Sequence, residues 1–351
     1  MDDNKDSLSI QQQVNKVGLT RNDYRGTPST LCKGCGHNSI ANQIIAACYE
    51  LNIHPEQVLK FSGIGCSSKS PTYFLGGSFG FNGLHGRMPS LALGASFANT
   101  HLRVIGVSGD GDTASIGFGQ FKHLARRNIP MVYIVENNGV YALTKGQFSA
   151  TTEKGLTLKK QGVNPFQPID ICLEALTANA SFVARSFAGD PRQLVSLLKA
   201  ALSHRGIAIL DVISPCVTFH NQDNSHHSFT WVRENKIPVQ DITYIAPEDE
   251  IMIKDFEEGT TREIELFDGS TLKLKKVGKD YDPTDKFSAY KLLTEAIDEN
   301  HVVTGLIYIN PEQTTLFDIH QLPDDLPLNR LPESRIRPPR ESIDKVNKMM
   351  F

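Results

Sequence analysis

The sequence has 351 residues, of which 40% are hydrophobic and 21% are charged, and its formal net charge is −3. This length favours one large domain with appendages, and the hydrophobic fraction is ordinary for a protein with a buried core. A nucleic-acid-binding protein needs a basic excess or stripe, which this near-neutral chain lacks, so nucleic acid is not an expected partner.

The amino-terminal residues show no targeting segment. Residues 1–14 are polar and acidic and lack the basic and apolar regions of a secretory signal. No run of about 18 apolar residues occurs in the chain, so we expect no membrane span and a cytoplasmic location. Residues 1–27 also lack hydrophobic periodicity, which predicts a loose N-terminal arm.

Strands and helices are predicted to alternate between residues 28 and 225. Apolar strands are expected at 58–61, 103–108, 131–135, 182–184 and 207–213, and helices at 38–51, 90–100, 116–127, 169–178 and 191–203. Near-continuous apolar strands are typical of a sheet that is covered on both faces. The alternation therefore predicts an α/β fold with a doubly wound, mostly parallel sheet and right-handed crossovers.

The pattern changes after residue 225. Strands at 263–266 and 271–277 flank Asp268-Gly269, which predicts a hairpin, and a helix at 289–299 and a strand at 303–309 follow. Residues 311–339 are rich in proline and predict an extended tail that lies on another surface. The expected domains are an arm at 1–27, a main domain at 28–225, an extension at 226–310 and a proline-rich tail at 311–351.

Two polar motifs follow consecutive predicted strands, at Gly109-Asp110-Gly111 and at Asn137-Asn138. Open parallel sheets bind ligands at the carboxyl ends of their strands, so Asp110 and Asn138 are expected to meet at one cation. A carboxylate, an amide oxygen and the Val140 carbonyl suit Mg²⁺, with diphosphate oxygens completing the shell. Glycines let backbone N–H groups approach the diphosphate. Each motif alone is more typical of an ordinary turn, but their order and position favour the cofactor site.

The six cysteines fall into two groups. Cys48 and Cys172 lie within apolar helical patterns and are predicted to be core residues. The other four lie in loops that adjoin strand or helix ends, at Cys32, Cys35, Cys66 and Cys216. Four loop thiolates predict an iron–sulfur cluster or a zinc ion. One close pair with two distant single cysteines, near the glycine-rich motifs, favours the redox cluster, and thioredoxin-type exchange is a weaker alternative.

Taken together, these motifs resemble the beta subunit of 2-oxoacid:ferredoxin oxidoreductases. The resemblance rests on Leu31-Cys-Lys-Gly-Cys-Gly-His37, Gly63-Ile-Gly-Cys66, His85-Gly-Arg87, Gly109-Asp-Gly-Asp112 and Asn137-Asn-Gly-Val-Tyr-Ala-Leu-Thr-Lys-Gly-Gln147. It covers residues 28–225 and is weak beyond residue 230. The Gly-Asp-Gly and Asn-Asn pair resembles the thiamine-diphosphate motif, and the sequence looks closest to the 2-oxoglutarate subgroup.

The resemblance implies oxidative decarboxylation of a 2-oxoacid to acyl-CoA and CO₂, with coenzyme A as acyl acceptor. It implies thiamine diphosphate, Mg²⁺ and one [4Fe-4S] cluster that passes electrons to ferredoxin. The implied Mg²⁺ ligands are Asp110, Asn138 and the Val140 carbonyl. The implied cofactor contacts are Ile64, Gly65, Cys66, Ser67, Gly111, Asp112, Ala142 and Leu143. The implied cluster ligands are Cys32, Cys35, Cys66 and Cys216.

Several other polar residues are candidates for binding. Lys69 is a candidate for the substrate carboxylate and Lys145 for a coenzyme A phosphate, each against the alternative of a solvated surface lysine. His85 and Arg87 are candidate contacts with cofactor or substrate, although a histidine bonded to a loop carbonyl is as common. Further histidines are His37, a candidate neighbour of the cluster, and His220, His226 and His227, expected to form a mobile loop rather than a metal site.

A partner chain is expected as well. The resemblance implies an activating glutamate from a separate pyrimidine-binding domain, and residues after 225 show too little alternation to form one. We therefore expect an alpha subunit in an αβ or (αβ)₂ assembly. The open alternatives are pyruvate or a broad 2-oxoacid range, a non-redox thiamine-dependent decarboxylase or synthase with a zinc site, and a non-catalytic scaffold.

Overall fold

The computed structural model describes residues 13–220, 225–245, 261–265, 271–276 and 281–350. Its helices are α1 (Gly36–Glu50), α2 (Met88–Ala98), α3 (Phe118–Arg126), α4 (Ile171–Thr177), α5 (Pro191–Ser203), α6 (Phe229–Asn235), α7 (Lys286–Asp298), α8 (Leu316–Ile319), α9 (Glu333–Ile336) and α10 (Arg340–Met350). Short 3₁₀ turns occur at Arg21–Tyr24, Pro55–Gln57, Ser67–Thr72 and Leu328–Arg330, and a π-helical turn occurs at Gly111–Ile116.

The strands are β1 (Val58–Ser62), β2 (Phe79–Asn82), β3 (Arg103–Gly109), β4 (Met131–Asn137), β5 (Val140–Tyr141), β6 (Gln147–Phe148), β7 (Thr157–Leu158), β8 (Gly162–Val163), β9 (Phe182–Phe187), β10 (Ile207–Ile213), β11 (Lys236–Pro238), β12 (Gln240–Ile245), β13 (Thr261–Glu265), β14 (Thr271–Lys276) and β15 (Val302–Ile309). Eight of them form the main sheet in the order β11-β15-β9-β10-β4-β3-β1-β2. The six from β9 to β2 run parallel, and β15 runs antiparallel to β9. The predicted mostly parallel α/β sheet is confirmed.

Helices pack on both faces of the sheet, as the apolar strands predicted. Helix α5 begins with Asp190 as its N-cap and Pro191 at its first position, and its leucines recur at helical spacing. One face is covered by α1 and α5, and the other by α2, α3, α4 and α7. The main side chains of the first core are Ile40, Ile44, Leu194 and Leu198, and those of the second are Met88, Phe121, Leu176 and Leu293. Cys48 and Cys172 are buried among them, as predicted.

The carboxyl ends of β1, β3, β4 and β10 lie side by side, because these strands are neighbours in the sheet. Glu136 at the end of β4 is in register with Gly109 of β3, and Asn137 is in register with Ile213 of β10. The turn after each strand therefore leaves the sheet at nearly the same level. This edge carries the polar motifs found in the sequence.

Residues beyond 225 contribute to the main sheet instead of forming only an extension. Strands β11 and β15 occupy its far edge, next to β9. The predicted hairpin is present as antiparallel β13 and β14, with β12 as a third strand, while its turn at Asp268-Gly269 lies outside the described residues. Sequence analysis missed β2 and β12, and it gave too short a length for β9.

The described part of the arm, from residue 13, and the described part of the tail are more ordered than predicted. In the arm, the Tyr24 side chain is fully buried, and its ring contacts the Tyr49 ring edge-on with 5.7 Å between the ring centroids. Burial of a large aromatic side chain is strongly stabilising, so it holds this part of the arm on the domain. The tail is not extended throughout, since it forms α8, α9 and α10. Part of it lies on its own chain, where Phe317 contacts Phe97 at 5.3 Å. No helix among the described residues is long and apolar enough to cross a membrane.

The contribution of β15 to the fold predicts a difference between two isoleucines. Ile307 in β15 is fully buried, whereas the Ile297 side chain at the end of α7 is 52% exposed. Ile307→Ala should lower the free energy of unfolding by about 2–5 kcal/mol, because it leaves a cavity in the core. Ile297→Ala should change it by about 0.5 kcal/mol or less. Chemical denaturation of the two variants tests this, and equal small effects would contradict the placement of β15 in the core.

Candidate active site

A cavity of about 260 Å³ opens at the edge where the four strand ends meet. The turn after β1, the turn after β3 and the loop after β4 form its walls. The predicted site residues that line it are Ile64, Gly65, Cys66, Ser67, His85, Asp110, Gly111, Asp112, Asn138, Val140, Ala142 and Leu143. The structure thus brings together residues that are up to 79 positions apart in the chain, from Ile64 to Leu143.

Asp110 and Asn138 are in direct contact. The Asn138 backbone N–H donates to Asp110 Oδ1 at 3.2 Å, and the Thr151 hydroxyl donates to Asp110 Oδ2 at 2.8 Å. The Asn138 side-chain oxygen accepts from the Val140 N–H at 3.1 Å, which makes a tight turn of the three residues. The Asp110 carboxylate in the turn after β3 thus lies against the loop after β4, which carries the Asn138 amide oxygen and the Val140 carbonyl.

The Asp110 carboxylate has no cationic side chain to balance its charge. It is 1% exposed, and no lysine or arginine of the described residues forms an ion pair with it. A buried carboxylate without a counter-charge is costly. The donor set of Asp110, Asn138 and Val140 consists of oxygens, which is the chemistry that Mg²⁺ prefers, so these residues fit a magnesium–diphosphate group.

The glycine at position 111 is needed for packing. A Cβ added there would lie 2.4 Å from the Tyr141 ring, and the Tyr141 hydroxyl donates to the Gly111 carbonyl at 3.0 Å. Sequence analysis expected this glycine to let the backbone approach the diphosphate. In this structure the close contact at Gly111 is with the Tyr141 ring. Tyr141 itself lines the cavity and holds the loop after β4 against the turn after β3.

Asp112 connects the turn after β3 to the His85-Gly86-Arg87 segment. Its carboxylate accepts from the Gly86 N–H at 2.8 Å and from the Ser108 hydroxyl at 2.9 Å. Burial raises the pKa of Asp112, and these two hydrogen bonds oppose the rise. Gly86 has a φ of +66° and packs against Gly117, so the turn requires glycine. The result is that His85 lines the cavity, whereas Arg87 is exposed and lies outside it.

The other two predicted binding residues also lie outside the cavity lining. Lys69 is half-buried in the 3₁₀ turn that follows Cys66, where its positive charge lowers the pKa of the Cys66 thiol against the larger effect of burial. Lys145 is exposed and adopts a φ of +77° in the turn between β5 and β6.

The predicted cluster cysteines lie next to the same edge. Cys35 is the N-cap of α1, and the following Gly36 N–H donates to the Pro215 carbonyl at 3.3 Å. A Cβ at Gly36 would lie 2.5 Å from Ser214 Oγ, so only glycine allows this approach. The first turn of α1 is thereby held against the loop that carries Cys216.

Electrostatic coupling links the four thiols. Burial raises the pKa of Cys35 to about 12, and the charges of Cys216 and Cys66 contribute to the rise. Burial also raises the pKa of Cys66, with contributions from Cys216 and Cys32. Within the described chain, which contains all four of these residues, no three cysteine sulfurs lie within 4.8 Å of one another.

A buried acid and a buried histidine, Glu136 and His37, line the cavity together with Cys66. Glu136 is fully buried and accepts from the Ser70 hydroxyl at 2.8 Å, and His37 Nδ1 lies 3.6 Å from it. Burial raises the pKa of Glu136 and lowers that of His37 to about 4. Burial therefore disfavours the charged form of both side chains. Sequence analysis missed Glu136, although it directly precedes the Asn-Asn motif.

The histidine-rich segment differs from the mobile loop expected for it. His220 and His227 are buried, and their rings contact the Asn137-Asn138 loop and Glu153. Residues 221–224 lie outside the described residues. Glu153 and Thr151 were missed by sequence analysis, because no motif marks the loop in which they lie.

Comparisons with known proteins agree with this geometry. Residues 63–212 match the family model "Thiamine pyrophosphate enzyme, C-terminal TPP binding domain". The chain is 41% identical over 194 residues to "2-oxoacid:ferredoxin oxidoreductase subunit beta" of Saccharolobus solfataricus, which covers 54% of this chain and 63% of the relative. It is 39% identical over 201 residues to "2-oxoglutarate synthase subunit KorB" of Methanocaldococcus jannaschii, which covers 56% of this chain and 73% of the relative.

A solved structure is similar over most of the chain. The "2-oxoglutarate:ferredoxin oxidoreductase from Magnetococcus marinus with 2-oxoglutarate, coenzyme A and succinyl-CoA bound" has a TM-score of 0.70 and 31% identity, covering 86% of this chain and 89% of that chain. This chain matches 63% and 61% of the lengths of two archaeal relatives, from Saccharolobus solfataricus and Aeropyrum pernix. With a thiamine-binding fold, a fitting site and relatives of this identity and coverage, the chain belongs to the family of 2-oxoacid:ferredoxin oxidoreductase beta subunits.

Proposed function

We propose that this chain is the beta subunit of an enzyme that oxidatively decarboxylates a 2-oxoacid to acyl-CoA and CO₂ and passes the electrons to ferredoxin. Thiamine diphosphate, Mg²⁺ and one [4Fe-4S] cluster are its cofactors. The observation that supports this most strongly is that an oxygen-lined cation site and four cysteines share the edge formed by β1, β3, β4 and β10.

The favoured substrate is 2-oxoglutarate. The names of the Methanocaldococcus relative and the Magnetococcus structure both contain 2-oxoglutarate, and the latter was solved with coenzyme A and succinyl-CoA. Pyruvate or a broad 2-oxoacid range is the alternative, since the Saccharolobus relative carries only the general name. We propose a cytoplasmic location, because clustered cysteines that bind a metal group are typical of reducing compartments.

Asp110, Asn138 and the Val140 carbonyl would hold Mg²⁺, and the cavity walls would hold the cofactor. When bound, thiamine diphosphate supplies the carbanion chemistry that breaks the bond to the leaving carboxylate. Asp112 orients His85 towards the cavity through Gly86, so His85 is a candidate contact with cofactor or substrate. The walls that Tyr141 and Glu136 form limit the access of water to the cation site.

Cys32, Cys35, Cys66 and Cys216 would hold the cluster. One close cysteine pair with two distant single cysteines favours this cluster over the zinc site of a non-redox decarboxylase or synthase. Glu136 and His37 line the same cavity, where burial raises the pKa of Glu136 and lowers that of His37. Lys69, next to Cys66, remains a candidate for the substrate carboxylate, and exposed Lys145 and Arg87 remain candidates for coenzyme A and substrate.

An exposed apolar rim supports a partner subunit. Large side chains of the edge strand β2 and of the turns around the cavity are exposed: Phe79 by 64%, Phe81 by 57%, Leu84 by 77%, Ile116 by 51% and Leu143 by 48%. Apolar surface of this extent around a cavity is typical of a protein interface. We propose that an alpha subunit covers this rim and supplies the activating glutamate, in an αβ or (αβ)₂ assembly.

The cation site predicts a loss of cofactor affinity in Asp110→Asn. This change keeps the shape of the side chain but removes the charge that balances Mg²⁺. Calorimetric titration with thiamine diphosphate and Mg²⁺ should show at least about tenfold weaker binding, equivalent to about 1.4 kcal/mol. Asp241→Asn, at an exposed position in β12, is the matched control and should bind normally. Unchanged affinity in Asp110→Asn would refute the cation assignment.

The cluster assignment predicts that Cys66→Ser or Cys216→Ser lowers iron content and visible absorbance after anaerobic purification. Cys172→Ser is the control, because Cys172 is fully buried and its thiol donates to the Ala184 carbonyl at 3.7 Å, a bond that serine can retain. Iron and sulfide analysis gives the result. Zinc at one per chain in place of iron would make the redox proposal wrong.

The partner proposal predicts that this chain alone, loaded with cluster, Mg²⁺ and cofactor, does not turn over substrate. The co-expressed pair should reduce a viologen dye when supplied with coenzyme A and a 2-oxoacid, and a panel of 2-oxoacids should rank 2-oxoglutarate first. The measurement is dye reduction per mole of beta subunit. Equal turnover by the isolated chain would show that no partner glutamate is needed, and inactivity of the pair with every 2-oxoacid would favour a scaffold.

A further inference from the structure

A second polar cluster lies behind the loop that carries Asn137 and Asn138. Glu153, His220 and His227 are 8%, 0% and 4% exposed. His220 Nε2 lies 3.1 Å from Glu153 Oε2, and His227 Nδ1 lies 2.9 Å from Glu153 Oε1. Across the part of the chain that the structure describes, this is the one group of three or more histidine, cysteine or acidic residues whose ligand atoms all lie within 4.8 Å of one another.

The hydrogen bonds at the far side of each ring determine where the imidazole protons lie. His220 Nδ1 is 2.7 Å from the Asn138 carbonyl oxygen, and His227 Nε2 is 3.0 Å from Asn137 Oδ1. The Asn137 amide orientation is defined, since its Nδ2 donates to Asp211 Oδ1 at 3.0 Å. Both contacts are to acceptors, so each of these ring nitrogens must carry its proton.

The ring nitrogens that face Glu153 therefore present lone pairs when the histidines are neutral. Two lone pairs and a carboxylate then point at one another in a buried space. The Ser225 hydroxyl, 2.6 Å from His220 Nε2 and 3.0 Å from Glu153 Oε1, has one proton to share among them. Glu153 Oε2 makes no hydrogen bond within the described chain. The cluster therefore offers two imidazole nitrogens and an unpartnered carboxylate oxygen around one buried space.

We propose that this cluster binds a divalent transition-metal ion, with Zn²⁺ the best match, through Glu153, His220 and His227. Zinc–nitrogen and zinc–oxygen distances of about 2.1 Å place tetrahedral ligands about 3.4 Å apart, close to the spacing found here. Imidazole ligands favour zinc over Mg²⁺ or Ca²⁺. Metal-bound histidines usually donate their other N–H to a carbonyl or carboxylate oxygen, and both rings do so to oxygen acceptors.

The ion would join the loop that carries Glu153 to the segment that carries His220 and His227, beneath the cofactor loop. Its histidines donate to the Asn137 side chain and to the Asn138 backbone, so they fix the orientation of that loop. Gly139 allows the arrangement, because it has a φ of +69° and a Cβ there would lie 2.7 Å from the His220 ring. The proposal does not depend on the proposed function, since the metal site is complete without thiamine diphosphate or the cluster.

The first test is metal analysis of the full chain after anaerobic purification. Wild-type protein should contain one zinc per chain in addition to cluster iron. His227→Ala and Glu153→Gln should lower zinc at least about tenfold while iron stays unchanged. The matched control is His226→Ala, because the His226 ring stacks on Trp231 at 4.3 Å and is not part of the cluster; it should retain zinc.

A titration with Co²⁺ distinguishes this site from zinc held by the cysteines. It also remains informative if a variant fails to fold. Apo wild-type chain titrated with Co²⁺ should show one equivalent with ligand-field bands but without thiolate-to-cobalt charge transfer. This spectrum supports the proposal even where a variant loses iron and zinc together. Absence of both native zinc and such a cobalt spectrum would overturn it, and protonated histidines would then supply the charge.

Discussion

The common register of four parallel strands is the constraint on which the site depends. Because β1, β3, β4 and β10 are neighbours, their following turns must leave the sheet together. The Ser214 N–H continues the ladder to the Asn137 carbonyl at 2.7 Å, beyond the last paired residue of β10. Residues from the Asn-Asn loop and from the Cys216 loop are thereby fixed relative to one another by backbone hydrogen bonds. A shift of one residue in the pairing of β4 with β10 would turn the side chains of the shifted strand to the opposite face of the sheet.

The buried carboxylates of this chain differ in their partners. Asp211, together with the half-buried Asp170, is balanced from within, because Arg185 forms ion pairs with them at 2.8 Å and 2.6 Å. Asp110 and Glu153 have no lysine or arginine partner among the described residues. Glu153 lies against His220 and His227, and Asp110 accepts hydrogen bonds from the Asn138 N–H and the Thr151 hydroxyl. We propose that the protein takes up a cation beside each of these two acids, because a buried charge must be paired or neutralised.

Sequence analysis predicted the elements whose pattern is strong and local. Helix α5 and strand β10 begin and end where the sequence predicted, because each combines a clear apolar pattern with flanking polar residues. The contact of Asp110 with Asn138 was also predictable, since consecutive parallel strands often pair. Strand β2 was missed because its Phe-Gly-Phe-Asn sequence is exposed on an edge and lacks a buried face. The burial of His220 and His227 depends on Glu153, a distant contact that no local pattern encodes.

The claim that one edge of the sheet holds both cofactors is tested most directly by anomalous diffraction. Crystals of the anaerobically purified chain with thiamine diphosphate and Mg²⁺ would be measured at the iron absorption edge. We predict one compact iron peak between Cys32, Cys35, Cys66 and Cys216, and diphosphate density that contacts Mg²⁺ at Asp110 and Asn138. No iron signal at the cysteines, or diphosphate bound away from Asp110, would contradict it.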